Sequence, residues 1–209
     1  MARPHGFGNI FREKKQSAEN AAPKIYNFVT FPGCIISRKW RIFCGEAEVT
    51  TLKSQKWKTY AAWIALTEAV GGLSGWLTRQ GTQYFNQAVT KPPFSPPGIV
   101  FPVAWAILYL LMGIGAARVY LAPVSRARSR SLFLYLLQLA FNFCWSVIFF
   151  TVRAYGFAFV WLVALWFLIL AMILEFRRVD ALAAGLQVPY LLWVLFAAYL
   201  NAGVWVLNR

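Results

Sequence analysis

From Lys91 to Tyr109 the chain reads KPPFSPPGIVFPVAWAILY, the densest local run of chemically distinctive residues in the sequence. Pro92, Pro93, Pro96 and Pro97 each lack an amide N–H and hold the preceding residue in extended geometry, so the run begins as a stiff, non-helical loop. Gly98 releases that loop into an apolar stretch, where Pro102 falls in the first turns of a helix and its missing N–H costs little. A rigid connection from Arg79 to Gly98 is longer than most helix–helix links and suggests a lid over something; a structured linker is the alternative reading. Glu68 is the second candidate for chemistry, a carboxylate inside an otherwise apolar run, expected to face a bundle interior or water. Sites for covalent chemistry are missing: there is no GxSxG, no Ser/His/Asp set and no Walker loop. His5, the one histidine, stands away from any cysteine or carboxylate pair, so no metal site is expected and a histidine-ligated haem within the bundle is excluded.

Those residues are positioned by five apolar stretches of about 20 residues, the length that crosses a bilayer as a helix. They run about Thr59 to Thr78, Ile99 to Leu121, Ser131 to Thr151, Ala154 to Leu174 and Leu186 to Leu207. A hydrophobic fraction of 59%, a mean hydropathy of +0.53 and only 13% charged residues agree, since about a quarter of residues are charged in soluble domains. A closed β-barrel would need strands of about ten residues with inside/outside alternation, which Phe157 to Leu174 lacks. The fold class is therefore all-α: a polytopic bundle of five transmembrane helices over residues 57–209, preceded by a basic extension over residues 1–56.

The net charge of +14 is split between these parts, with eleven basic and four acidic residues before Thr59. No nucleic-acid recognition motif accompanies the basic arm, and attraction to anionic headgroups accounts for it more simply. Short cytoplasmic loops collect Lys and Arg. Lys53, Lys56, Lys58, Arg126, Arg128, Arg130, Arg177 and Arg178 share one side, against Arg79, Lys91, Arg153 and Arg209 on the other, which puts the amino terminus on the cytoplasm-like side. The extension has no apolar core followed by a small-residue cleavage site, so a secretory signal is not expected. Its aromatic patches, Ile25 to Phe31 and Ile35 to Phe43, read as an interfacial or disordered arm, with an organelle presequence as the competing reading. Cys34, Cys44 and Cys144 match no metal or redox spacing.

Three motifs together, KPPFSPPGIVFPVAWAILY, QLAFNFCW (Gln138 to Trp145) and VPYLLWVLFAAYLN (Val188 to Asn201), resemble the translocator protein family, also called tryptophan-rich sensory proteins or peripheral benzodiazepine receptors. The likeness runs from about Thr59 to Asn208 and takes in all five stretches in order. It implies a five-helix bundle, commonly a homodimer, that binds porphyrin or haem, sterols in animal members, and synthetic fused-ring drugs in a pocket closed by the first loop. Such a protein needs no obligatory cofactor; the tetrapyrrole is its ligand, and lipid or sterol a further partner. An envelope or an organelle membrane, mitochondrial or plastid, would house it.

Carried over motif by motif, the resemblance implies a pocket whose ligand contacts are Phe94, Trp105 and Tyr109, Asn142 and Trp145, and Trp193, Phe196 and Ala197, under a lid of Lys91, Pro92, Pro96 and Pro97. Trp105 and Tyr109, and Trp193 and Ala197, are four apart, so each pair shares a helix face. Flat ligands stack on aromatic rings for about 0.5–1.5 kcal/mol per pair beyond burial, and Asn142 adds an amide donor and acceptor. Two departures stand out. Pro93 and Phe94 occupy lid positions where relatives often carry tryptophan, and Val206 stands where an arginine is expected, which leaves the short sterol motif unsupported. Some bacterial relatives oxidise porphyrin in light; without a lid indole, Trp193 is the remaining candidate for such chemistry. The small pairs Gly71/Gly75, Gly113/Ala117 and Ala154/Ala158 permit close helix approach, between chains or within one. The leading expectation is a tetrapyrrole receptor or transporter without covalent chemistry, with a light-dependent porphyrin-degrading enzyme and a membrane scaffold as the alternatives.

Overall fold

The computed structural model describes residues 34–36, 42–44 and 46–209, with side chains from residue 55 onward. Most of the expected extension, including the patch Ile25 to Phe31, lies outside the described residues. Within it, β1 (Cys34–Ile36) pairs antiparallel with β2 (Ile42–Cys44), with Ile35 opposite Phe43.

Residues 50–209 form one unit. It holds α1 (Glu46–Ala88) from Thr50 onward, α2 (Val100–Leu121), α3 (Arg126–Ser146), α4 (Tyr155–Val179), the short α5 (Ala181–Gly185) and α6 (Val188–Leu207). The all-α bundle expected from the sequence is what these residues build. Four spans, Val100–Leu121, Arg126–Val152, Tyr155–Val179 and Ala181–Leu207, are long and apolar enough to cross a membrane. The remaining helix, α1, is diluted by Thr67, Glu68, Ser74 and Thr78, and the burial of Thr67, Ser74 and Thr78 shows that its polar side is turned into the bundle. Thr67 and Thr78 donate to the carbonyls of Trp63 (2.7 Å) and Ser74 (2.8 Å), which satisfies their hydroxyls without water.

The helix ends follow local chemistry. Ser125 caps α3 by accepting the Arg128 N–H at 3.1 Å, and Asp180 caps α5 by accepting the Ala183 N–H at 2.9 Å. α1 runs further than expected at both ends. It begins at Glu46, inside the region assigned to the extension, and continues past Arg79 to Ala88, so the loop is residues 89–99 rather than the stretch from Arg79 to Gly98. Apolar length measures the membrane crossing, not the helix; Arg79 to Ala88 has a single glycine and no proline, so the helix carries on outside lipid.

Large apolar side chains point both ways, as lipid solvation requires. Val103, Ile107, Phe133, Val160 and Phe167 are exposed on the outer faces, while Met112, Leu162, Ile169, Met172 and Phe176 are fully buried. Polar pairs tie the interior: Tyr190 donates to Gln138 at 2.9 Å, and the Thr67 and Tyr135 hydroxyls bond α1 to α3. Most members of the small pairs pack within the chain, though Gly75 is exposed with open space beside it. A Cβ at Gly113 would come within 2.7 Å of the Ile64 backbone, and Ala117 and Ala158 are fully buried.

Candidate functional site

A cavity of about 630 Å³ opens between α1, α2, α3, α6 and the proline loop, within the size range that holds a drug-sized ligand. Each helix presents one stripe to it. α1 gives Glu68, Gly71, Gly75, Arg79 and Thr82; α2 gives Phe101, Trp105 and Tyr109; α6 gives Ala197, Leu200, Asn201 and Val204. All three follow the three- and four-residue spacing of a single helix face. The small residues of α1 make room for rings: a Cβ at Gly71 would fall on the Tyr109 ring, so only glycine there lets that ring lie against the helix.

α3 contributes Trp145, Ser146, Phe149 and Phe150 where its hydrogen bonding widens into a π-turn, Val147–Val152. Such one-turn expansions re-aim side chains and recur at functional sites. Here the turn brings Phe149 and Phe150 against Phe85 of α1, at ring distances of 5.3 and 5.6 Å. The wall is therefore aromatic on three sides. Trp105 and Tyr109 lie 5.4 Å apart at 30°, and Trp145 stacks on Phe149 at 5.3 Å.

The loop is held shut mainly by the last helix. Pro92 is buried against Gly203, where a Cβ would approach its ring to 2.5 Å. Tyr199 donates to the Pro93 carbonyl at 3.0 Å, and Thr90 and Asn208 bond to each other through backbone and amide. Within the loop, Ser95 donates to the Pro92 carbonyl at 2.7 Å, and Lys91 donates to Asn86 of α1 at 3.0 Å, tying the loop back to that helix.

Two lining residues carry unpartnered polar atoms. Trp145 and Asn201 are both lining residues and both buried, yet the Trp145 indole N–H and the Asn201 Oδ1 have no hydrogen-bond partner among the described residues. Both atoms are shielded from the cavity's free space, so they belong to the wall and are not presented to a guest.

The sequence-derived site residues separate into two groups. Lys91, Pro92, Pro96, Trp105, Tyr109, Trp145 and Ala197 line one cavity. Asn142 sits behind the wall, 1% exposed, donating to the Tyr109 hydroxyl at 3.4 Å. Trp193 and Phe196 lie outside the lining: their rings pair at 5.7 Å, and Trp193 meets Phe101 edge-on at 6.1 Å, so Phe101 takes the wall position. Pro97 is exposed and also outside the lining. Phe94 is 87% exposed, because the loop turns there through a left-handed backbone, φ 62°, that carries the side chain away from the cavity. Sequence reasoning missed Arg79, Phe85, Phe101, Phe149, Phe150 and Asn201. Phe101 was within reach, standing four residues before Trp105; the π-turn that recruits Phe149 and Phe150 has no sequence signal.

A family model described as the TspO/MBR family matches residues 63–206, the region that forms this bundle and cavity. The chain is 38% identical to Protein CrtK of Rhodobacter capsulatus over 67% of its own length and 87% of that protein. It is 35% identical to Tryptophan-rich protein TspO of Chlorobaculum tepidum, covering 72% of this chain and 96% of the relative. Against the Translocator protein of Ovis aries it is 34% identical, covering 71% and 90%. The five long helices, the loop-covered cavity and these matches agree: the chain is a multi-pass integral membrane protein and belongs to the TspO/MBR family.

Proposed function

We propose that the protein binds porphyrins and related tetrapyrroles in the loop-covered cavity and hands them across or along its membrane, as a transporter or scavenger active under stress. One observation carries the reading: a chamber of about 630 Å³ walled by Trp105, Tyr109, Trp145, Phe149 and Phe101 suits a flat, fused-ring guest. Arg79 and Lys91 at the loop end add positive charge for a carboxylate-bearing ligand. Sterols are the weaker guest, since a single hydroxyl uses neither cation. Binding without covalent chemistry is the preferred form, because Trp193, the candidate for porphyrin oxidation, stands outside the wall behind Phe101. The basic flanks support an amino terminus on the cytoplasm-like side, and a homodimer is the assembly that the family suggests.

Tryptophan fluorescence of the purified chain in nanodiscs, titrated with protoporphyrin, haem and cholesterol, tests this. Saturable quenching by the tetrapyrroles at micromolar concentration is expected, with little response to cholesterol. Quenching by cholesterol alone would refute the tetrapyrrole reading. Illumination of the porphyrin complex separates the enzyme alternative, which requires loss of the porphyrin band with a new product.

A further inference from the structure

The cavity is electrically polarised along α1. Glu68 and Arg79 are eleven residues apart, which at 100° per residue returns to nearly the same helix face about 16 Å further along. Both line the cavity, and Lys91 joins Arg79 at the loop end. Arg79 and Lys91 are exposed, whereas Glu68 is half-buried three turns away from that opening. Among the described residues the Glu68 carboxylate forms no ion pair, unlike Glu175 and Asp180, which are matched by Arg178 and Arg118. A carboxylate in a membrane-embedded chamber is stabilised chiefly by hydrogen-bond donors brought to it.

Resting on the tetrapyrrole reading above, we infer that Glu68 is a specificity residue, selecting open-chain tetrapyrrole dicarboxylates over metallated rings. The two classes share a flat conjugated body and two propionates, which Arg79 and Lys91 take at the loop end. They differ in their nitrogens. In a metalloporphyrin all four point at the metal and none can donate. In a metal-free ring the N–H groups point inward. An open chain ends in lactam rings that expose N–H groups along an edge, which complement the Glu68 carboxylate. Glu68 at the inner end and the cations at the opening thus match the lactam edge and the opposite propionate edge of a coiled open chain, whereas a ring with inert edges leaves Glu68 without a donor.

The test uses the full chain in nanodiscs, with tryptophan quenching by biliverdin, its dimethyl ester, protoporphyrin and haem. Wild-type protein should bind biliverdin about tenfold more tightly than haem, the scale of one charge-assisted hydrogen bond. Glu68→Gln should weaken biliverdin by about tenfold and haem by less than about twofold, with retained haem binding reporting an intact fold. Arg79→Gln with Lys91→Gln should weaken biliverdin, protoporphyrin and haem alike and spare the dimethyl ester. Equal losses of haem and biliverdin in Glu68→Gln, or no loss of either, overturn this inference alone. A wild-type protein quenched by none of the tetrapyrroles overturns the ligand class beneath it.

Discussion

Asn208, at the end of α6, and Thr90, at the foot of the proline loop, exchange two hydrogen bonds: the Thr90 N–H donates to Oδ1 at 2.9 Å, and Nδ2 donates to the Thr90 carbonyl at 2.9 Å. The amide thereby acts like one more strand residue, pairing both polar groups of a backbone unit that no helix serves. Nδ2 also donates to the Val204 carbonyl at 2.8 Å, which fixes the side chain's orientation before the loop arrives. Loop stiffness and loop position therefore have separate origins, prolines for the first and α6 for the second.

Replacing Asn208 with Ala should release the foot of the loop without altering its stiffness. Two exposed hydrogen bonds contribute about 1–2 kcal/mol together, so local opening should become roughly tenfold more frequent. Hydrogen exchange at residues 90–100 should rise while exchange in α4 stays unchanged. Equal protection in the variant would mean that the amide pairing does not hold the loop.

Gly203→Val attacks the same closure from beneath. A Cβ at Gly203 would already reach the Pro92 ring to 2.5 Å, and a branched side chain cannot share that space. Overpacking of this kind costs about 1–3 kcal/mol, and here the loop rather than the helix yields, because the proline run is held by the Pro92 seat and a few hydrogen bonds, without a helix's own backbone bonding. Ligand dissociation should accelerate by about tenfold or more with little change in association. Stopped-flow quenching measures both rates; unchanged dissociation would show that Pro92 seating does not gate exit.

Trp105 and Trp193 give opposing expectations. Trp105 lines the cavity beside Tyr109, whereas Trp193 lies behind Phe101. Trp105→Phe should weaken porphyrin binding several-fold, about 1 kcal/mol of stacking and area, and Trp193→Phe should change it by less than about twofold. Titration of porphyrin absorbance on both variants decides. The reverse order would place the guest on the outer pair of rings, Trp193 and Phe196.

How far this site could be read from sequence depends on what determined each residue's place. The helices were legible because lipid imposes length and hydropathy, and Trp105, Tyr109 and Ala197 because the family motifs carry them, the four-residue spacing of Trp105 and Tyr109 placing both on one face. Phe94 was misplaced since one left-handed residue, φ 62°, reverses a side chain without any signature in composition. The length of α1 was underestimated because hydropathy is silent where a helix leaves the membrane. Phe149 and Phe150 enter through a π-turn, a choice between i→i+4 and i→i+5 bonding that depends on neighbouring packing and not on local residue type. Trp193 carried the right chemistry on the right helix, and Phe101, one layer nearer the cavity, took its place.

Asp180 links the bundle's stability to pH. Desolvation tends to raise its pKa, but the Ala183 N–H, the Arg118 guanidinium at 2.7 Å and the Leu182 N–H together bring it below the ordinary carboxylate value. A depressed folded pKa means that the ionised form is favoured in the native state. Its contribution is complete above the unfolded value of about 3.9 and is lost as pH falls through the lower folded value. The contacts join the last turn of α2 to the start of α5, so protonation loosens that corner first. Asp180→Asn keeps a capping oxygen and removes the charge; Asp180→Ala removes both and should cost about 1–2 kcal/mol. Thermal unfolding in detergent should show Asp180→Asn less stable than the native protein near neutrality, with the gap closing as pH falls below about 4. A gap that stays constant down to strongly acidic pH would assign the stabilisation to the cap alone and remove the ion pair from the account.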